Sequence, residues 1–106
     1  MDLIPTVIQD AVRCFSCVFA PDDQCFHGHF PGHPVVPGSF LVGLCVQIVQ
    51  TEFCCAQPVL VDRFSFRHFV APGSYTLCVR MDAGVFECTL TQDAQVFAKG
   101  RIRVCA

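Results

Sequence analysis

Three of the four histidines, three of the seven glycines and three of the seven prolines of this chain fall in one stretch. It reads Phe26-His27-Gly28-His29-Phe30-Pro31-Gly32-His33-Pro34-Val35-Val36-Pro37-Gly38. Imidazole titrates close to neutral pH, so such a cluster can take up and deliver protons. The prolines fix φ and keep the residues before them out of the α region, so 31–37 must be loop. Pro34 and Pro37 bracket a tight path into the apolar run Ser39 to Val49. A helix opening at Gly38 has first-turn N–H groups with no internal partner, at the positive end of its dipole. Glycine there allows a ligand to approach the backbone closely. Rigid backbone, small residues and titratable rings packed this tightly read as a site.

The elements that must position this stretch follow from periodicity and turn chemistry. Residues 1–10 form a short lead-in with room for one helical turn after Pro5. Residues 11–20, rich in Val, Phe and Cys, read as a strand. Pro21 to Gln24 is a turn, and Cys25 to Phe30 is short and extended. The helix runs from Gly38 to about Phe53. It carries no charge from Ser39 to Thr51, which predicts a helix buried all round. Four strands follow, Val59 to Val70, Tyr75 to Asp82, Val85 to Thr91 and Gln95 to Val104, separated by turns at Ala71–Ser74, Ala83-Gly84 and Gln92–Ala94. Short hairpin links imply antiparallel pairing. One buried helix among such strands needs a sheet that curls around it, which predicts an α+β domain spanning 1–106.

Composition narrows the function. The 106 residues are 53% hydrophobic and 15% charged, with mean hydropathy +0.51. That is more apolar than a soluble monomer needs. The uncharged run Gly38 to Thr51 is too short for a membrane span of about 20 residues, so surface buried in an oligomer is the better explanation. The start Met1-Asp2-Leu3-Ile4-Pro5 lacks the basic region of a signal peptide, and a cytoplasmic location is expected. A net charge of −2 with no block of Lys or Arg argues against nucleic acid. The nine cysteines, odd in number, read as reduced thiols used as small apolar side chains. Cys14-x-x-Cys17 is a weak metal candidate even with His27 and His29 as a second pair. It lies in a strand, where residues three apart face opposite ways.

Gly28-His29-Phe30-Pro31-Gly32-x-Pro34-Val35-Val36-Pro37-Gly38 resembles the signature of the hotdog-fold 3-hydroxyacyl-[acyl-carrier-protein] dehydratases, the FabA/FabZ family, which reads roughly GHFPxxPxxPG before a central helix. Gln47 matches a Gln common in that family. Phe64 to Gly73 resembles its later strand and Pro-Gly turn. The resemblance covers about residues 11–104. The short N-terminus looks more like the small dehydratases of aryl polyene and type II polyketide pathways. The resemblance implies a hotdog fold, an antiparallel sheet wrapped around one long apolar helix, working as a dimer. It implies dehydration of a 3-hydroxyacyl thioester on an acyl carrier protein to the 2-enoyl thioester. His29 would be the base, and backbone N–H groups at Gly38 would hold the developing oxyanion. Phe30, Val36, Phe40, Gly43 and Gln47 would line the acyl tunnel. No metal or organic cofactor is implied; the phosphopantetheine arm belongs to the carrier.

One position departs from the pattern. Where the family carries Glu or Asp on the first turns of the central helix, this chain has Gly43. Glu52 lies about 14 Å further along the helix axis and cannot serve the same spot. In that family each site joins the His of one subunit to the acid of the other. The resemblance therefore leaves a heterodimer with a paralogue that supplies the acid, a homodimer working through water or a substituted acid, and a non-catalytic partner subunit. A hotdog thioesterase is a further alternative, ranked lower because thioesterases generally lack this signature. Elsewhere the plain readings are preferred: His27 as an edge residue, His33 at a variable position, His68 as structural, Cys45 as a packed thiol. Arg63, Arg67, Arg101 and Arg103, on alternating strand positions, read as a solvated face, with a patch for an acidic carrier protein as the alternative.

Overall fold

The computed structural model describes residues 2–8, 11–23, 34–53, 55 and 57–104. The expectations placed on Cys25, His27, Gly28, His29, Phe30 and His33 lie outside the described residues. Six strands and one helix follow the order β1 (Asp2–Ile8), β2 (Val12–Phe19), α1 (Gly38–Thr51), β3 (Val59–Phe66), β4 (Gly73–Asp82), β5 (Val85–Gln92) and β6 (Gln95–Val104). The strands make one antiparallel sheet in the order β1-β2-β4-β5-β6-β3. Connections are tight where the sequence asked for hairpins. Ala83 and Gly84 both take positive φ, 50° and 78°, and Asp93 and Ala94 do the same at 51° and 62°. This is the turn whose twist matches that of the flanking strands.

The lead-in is not helical. Residues 2–8 form the edge strand β1, paired with β2 and bulged between Pro5 and Val7. Proline lacks an N–H, which an edge strand tolerates and a bulge accommodates. The hydroxyl of Thr6, beside the bulge, donates to the Cys14 carbonyl at 3.2 Å. β3 ends at Phe66, short of the expected Val70.

Alternation sorts each strand into two faces. Phe15, Cys17 and Phe19 on β2, Tyr75, Leu77 and Val79 on β4, Phe86, Cys88 and Leu90 on β5, and Ala98 and Ile102 on β6 are buried. They meet Leu41, Leu44, Cys45, Ile48 and Val49 of α1. Burying each of the larger aliphatic side chains contributes roughly 1.5–3 kcal/mol. The helix is not buried all round. Ser39, Gly43, Gln47 and Gln50 form an exposed stripe along it. Uncharged Ser, Gly and Gln give too little contrast for that face to be legible in a hydropathy pattern.

Cys14 and Cys17 do face opposite ways. Cys17 lies in the core, whereas Cys14, on the outer face, forms a disulfide with Cys78 of β4. That corrects the reading of all nine cysteines as reduced thiols. The two are directly opposed in the β2–β4 ladder with Cα atoms 4.0 Å apart. A pairing across 64 residues depends on register, which local sequence does not reveal.

Gly100 faces the helix, opposite Phe64 in the β3–β6 ladder. A Cβ there would lie 2.3 Å from the Phe64 ring, so the ring occupies the space that glycine leaves. Gly100→Ala is expected to lower unfolding stability in urea by about 1–3 kcal/mol, the usual cost of overpacking. In a Phe64→Ala background the same change should cost much less.

Candidate active site

α1 begins at Gly38 with Pro37 as its N-cap in extended conformation, with no side-chain cap and no acidic residue in the first turn. The N–H groups of Phe40 and Leu41 bond back to the Pro37 carbonyl, at 3.0 and 3.3 Å. Those of Gly38 and Ser39 have no partner among the described residues. Two donors at the positive end of a helix therefore stay available to an incoming anion. The segment leading there is tied down by Val36, whose N–H donates to the Val70 carbonyl at 2.8 Å and whose side chain is buried.

Phe66, which sequence reasoning did not single out, stands beside this helix end. A Cβ on Gly38 would come within 3.0 Å of its ring. Phe66 stacks with Phe64, ring centroids 6.3 Å apart, and remains 47% exposed. The signal that could have found it is the pair of aromatics, Phe64 and Phe66, on one face of a strand that pairs with the small residues Gly100 and Ala98.

The other candidates divide. Phe40 is half-buried, edge-on to Phe19 at 6.3 Å. Gly43 and Gln47 lie on the exposed stripe, and a Cβ at Gly43 meets nothing within 4 Å. The structure thus brings Val36, Gly38, Phe66 and Val70 together and turns Gly43 and Gln47 outward. The far end of α1 is held by Arg13, whose guanidinium donates to the Glu52 carbonyl at 2.8 Å and lies 5.0 Å from the centre of the Phe53 ring. A cation there suits the negative end of the dipole.

Cys45 is not set up as a nucleophile. Its contact with the Cys88 thiol and its burial both push its pKa far up, keeping it protonated. His68 is exposed, 2.9 Å from the Gln95 amide nitrogen, with its ring 5.2 Å from Phe97. Tyr75, in the core behind the Pro-Gly turn, donates its hydroxyl to the Ala71 carbonyl at 2.7 Å. Burial raises its pKa against the opposing effect of that bond.

A curled antiparallel sheet around one helix, with the helix N-terminus presented beside a sheet edge, is the hotdog fold. The whole chain superposes on a chain of the dehydratase heterocomplex ApeI:P from Xenorhabdus doucetiae, TM-score 0.87 at 20% identity, covering 100% of both. A mutant thioesterase from Pseudomonas aeruginosa shares the fold more distantly, with TM-score 0.62 at 14% identity over 96% of this chain and 80% of that one. In sequence the chain is similar to the 3-hydroxyacyl-[acyl-carrier-protein] dehydratase FabZ of Oenococcus oeni, 36% identical over 70 residues, which is 58% of this chain and 50% of the relative. FabZ of Syntrophomonas wolfei is 33% identical over 64 residues, 53% of this chain and 44% of that one. The chain thus spans about half the length of the curated relatives it matches. The family model for the ApeI dehydratase, ApeI-like, matches residues 7–101. The chain belongs to that family of hotdog dehydratases.

Because Gly43 is an exposed helix-interior glycine with open space around it, placing an acid there should not disturb the fold. Gly43→Glu is expected to raise unfolding stability by about 0.5 kcal/mol, from helix propensity alone. Chemical denaturation checks it; a loss of more than 1 kcal/mol would show that the stripe is packed against something.

Proposed function

We propose that this chain is one subunit of a dehydratase that acts on 3-hydroxyacyl thioesters carried by an acyl carrier protein, and that its site is completed by a partner subunit carrying the acid. The observation that supports this most is the outward-facing stripe Ser39–Gly43–Gln47 with empty space at Gly43, on a helix whose N-terminal donors at Gly38 are intact. His29 removes the proton from the carbon next to the thioester carbonyl. The N–H groups at Gly38 hold the oxyanion that forms. The β-hydroxyl leaves as water once protonated, giving the 2-enoyl thioester. That last proton needs an acid, and none of the described residues on the first turns of α1 is acidic. A paralogue facing His29 would provide it, in keeping with the heterocomplex the fold resembles. Phe30, Val36, Phe40, Gly43 and Gln47 then line the acyl path between the two subunits. No metal or organic cofactor enters this scheme.

The pairing surface in this reading is the free edge of β3, at one end of the sheet. Leu60, Val61, Phe66 and Phe69 are 51, 42, 47 and 81% exposed around it. An open apolar edge invites an added strand. A homodimer uses the same edge, and residues 1–106 then act as one domain.

Dehydration of a 3-hydroxyacyl carrier thioester, followed with this protein alone and mixed with a neighbouring paralogue, tests the proposal. Turnover is expected only in the mixture, and His29→Ala should lower it by on the order of 10²–10⁴. Turnover by the single protein that disappears in His29→Ala would favour the homodimer. Turnover indifferent to His29→Ala in both settings would remove His29 as the base. Gly43→Glu should restore some activity to the chain alone.

A further inference from the structure

β2 and β4 lie side by side in the sheet, yet the chain between them holds His29, Gly38, all of α1 and β3. Cys14 of β2 stands directly opposite Cys78 of β4, and the two are bonded across 64 residues. The bond therefore closes a covalent ring that contains the whole candidate site. It also adjoins the anchor of the helix. Arg13, one position before Cys14, holds the Glu52 carbonyl and lies against Phe53. Val79, opposite Arg13 in the ladder, follows Cys78. Fixing the Cys14–Cys78 rung fixes the register from which Arg13 reaches the far end of α1.

The other described cysteines are placed differently. Cys17, Cys45 and Cys88 are buried. Cys45 meets the Cys88 thiol without bonding to it, and that contact together with burial pushes its pKa far up. A protonated thiol is a poor nucleophile in disulfide exchange. Cys55 is a thiol joined to no described cysteine. Cys14 and Cys78 are only partly buried, on the outer face of the sheet. The exposed Arg80 lies two residues beyond Cys78 and shares that face. A nearby cation favours the thiolate, and Glu87, opposite Arg80 in the ladder, tempers it. β5 and β6 separate the pair from the β3 edge, so a strand added at that edge does not cover it.

We propose that Cys14 and Cys78 are a reversible modification site, a dithiol that a soluble low-molecular-weight disulfide closes and a soluble thiol reopens, and that closing it stabilises the fold around the candidate site. In the closing step one cysteine thiolate attacks a sulfur of the soluble disulfide and displaces the other sulfur as a thiolate. The second cysteine then attacks the protein sulfur of the mixed disulfide and releases the remaining soluble thiolate. Two electrons pass from the protein sulfurs to the soluble disulfide, and the two cysteine protons end on the two released thiols. The ladder already sets the two residues opposite each other, so the strands keep their pairing in both forms. The closed ring removes conformational freedom from the unfolded chain, and more of it for a long loop. This holds whichever reaction the site performs.

The test equilibrates the folded full chain in glutathione buffers from reducing to oxidising, blocks the remaining thiols with iodoacetamide and maps the linked peptides by mass spectrometry. A Cys14–Cys78 linkage is expected to appear and disappear reversibly across the series, while Cys45 and Cys88 react with iodoacetamide only after unfolding. The melting temperature should be higher in the oxidised protein by at least about 8 °C. In the double variant Cys14→Ser, Cys78→Ser, the two extreme buffers should give melting temperatures within about 2 °C of each other. A Cys14–Cys78 bond that stays closed in the reducing buffer while the protein is folded is a fixed staple and overturns the proposal. So does a map in which Cys14 and Cys78 are alkylated throughout, or are joined instead to Cys25, Cys54 or Cys105. A melting temperature indifferent to the buffer overturns the stabilising role. The peptide map needs only the native chain, so it decides the site even where the double variant does not fold. Failure of the dehydratase reading leaves each of these readouts unchanged.

Discussion

A helix with no charge from Ser39 to Thr51 cannot stand in water on most of its surface, and the rest of the fold answers to that constraint. The sheet supplies the cover. Its inner face is built from alternate residues of β2, β4, β5 and β6, and those meet Leu41, Leu44, Cys45, Ile48 and Val49. Hydrophobic burial has no direction of its own, so the helix also needs fixing at its ends. Arg13 does so at the C-terminus, bonding the Glu52 carbonyl and lying against Phe53. At the N-terminus the Val36–Val70 bond holds the approach. Among the described residues nothing engages the N–H groups of Gly38 and Ser39, and an available pair of donors at a helix start is what an oxyanion requires.

The same packing divides the helix into a covered face and an open one. The open stripe of Ser39, Gly43, Gln47 and Gln50 leaves small and uncharged groups outside, where a solitary protein would gain solubility from charged ones. The sheet is comparably asymmetric: its inner face is apolar, its β3 edge exposes Leu60, Val61, Phe66 and Phe69, and its outer face gathers arginines. Edge, stripe and the cleft lined by Arg63, Arg67, Lys99 and Arg101 sit around the β3 side of the molecule. In the proposed function the edge and the stripe correspond to subunit pairing and completion of the site.

Much of this was legible beforehand. The helix start at Gly38 follows from proline chemistry, and the β4 to β6 hairpins follow from turn residues whose positive φ values the structure confirms at Ala83, Gly84, Asp93 and Ala94. β1 was missed because Pro5 counts against a strand in every setting except an edge with a bulge, and edge status belongs to the sheet rather than the segment. The outward face of α1 was missed because Ser, Gly and Gln hardly differ from their neighbours in hydropathy. The Cys14–Cys78 bond and the Arg63–Arg101 opposition were missed because both are matters of register between strands far apart in the chain.

The sequence by itself determined the chemistry on offer. His29 and Gly38 stand in a proline-framed stretch before an uncharged helix, in a pattern shared with hotdog dehydratases, and an acid is missing at Gly43. Local backbone constraints and residue identity suffice for that. Tertiary structure decided where each group points: that Phe66 lies against Gly38, that Gly43 opens outward, and that scattered arginines become one cleft. The strand relations arise only when segments distant in sequence are paired in a definite register, and a pairing shifted by a single residue would have turned Phe66 and the arginines of β3 to the other face.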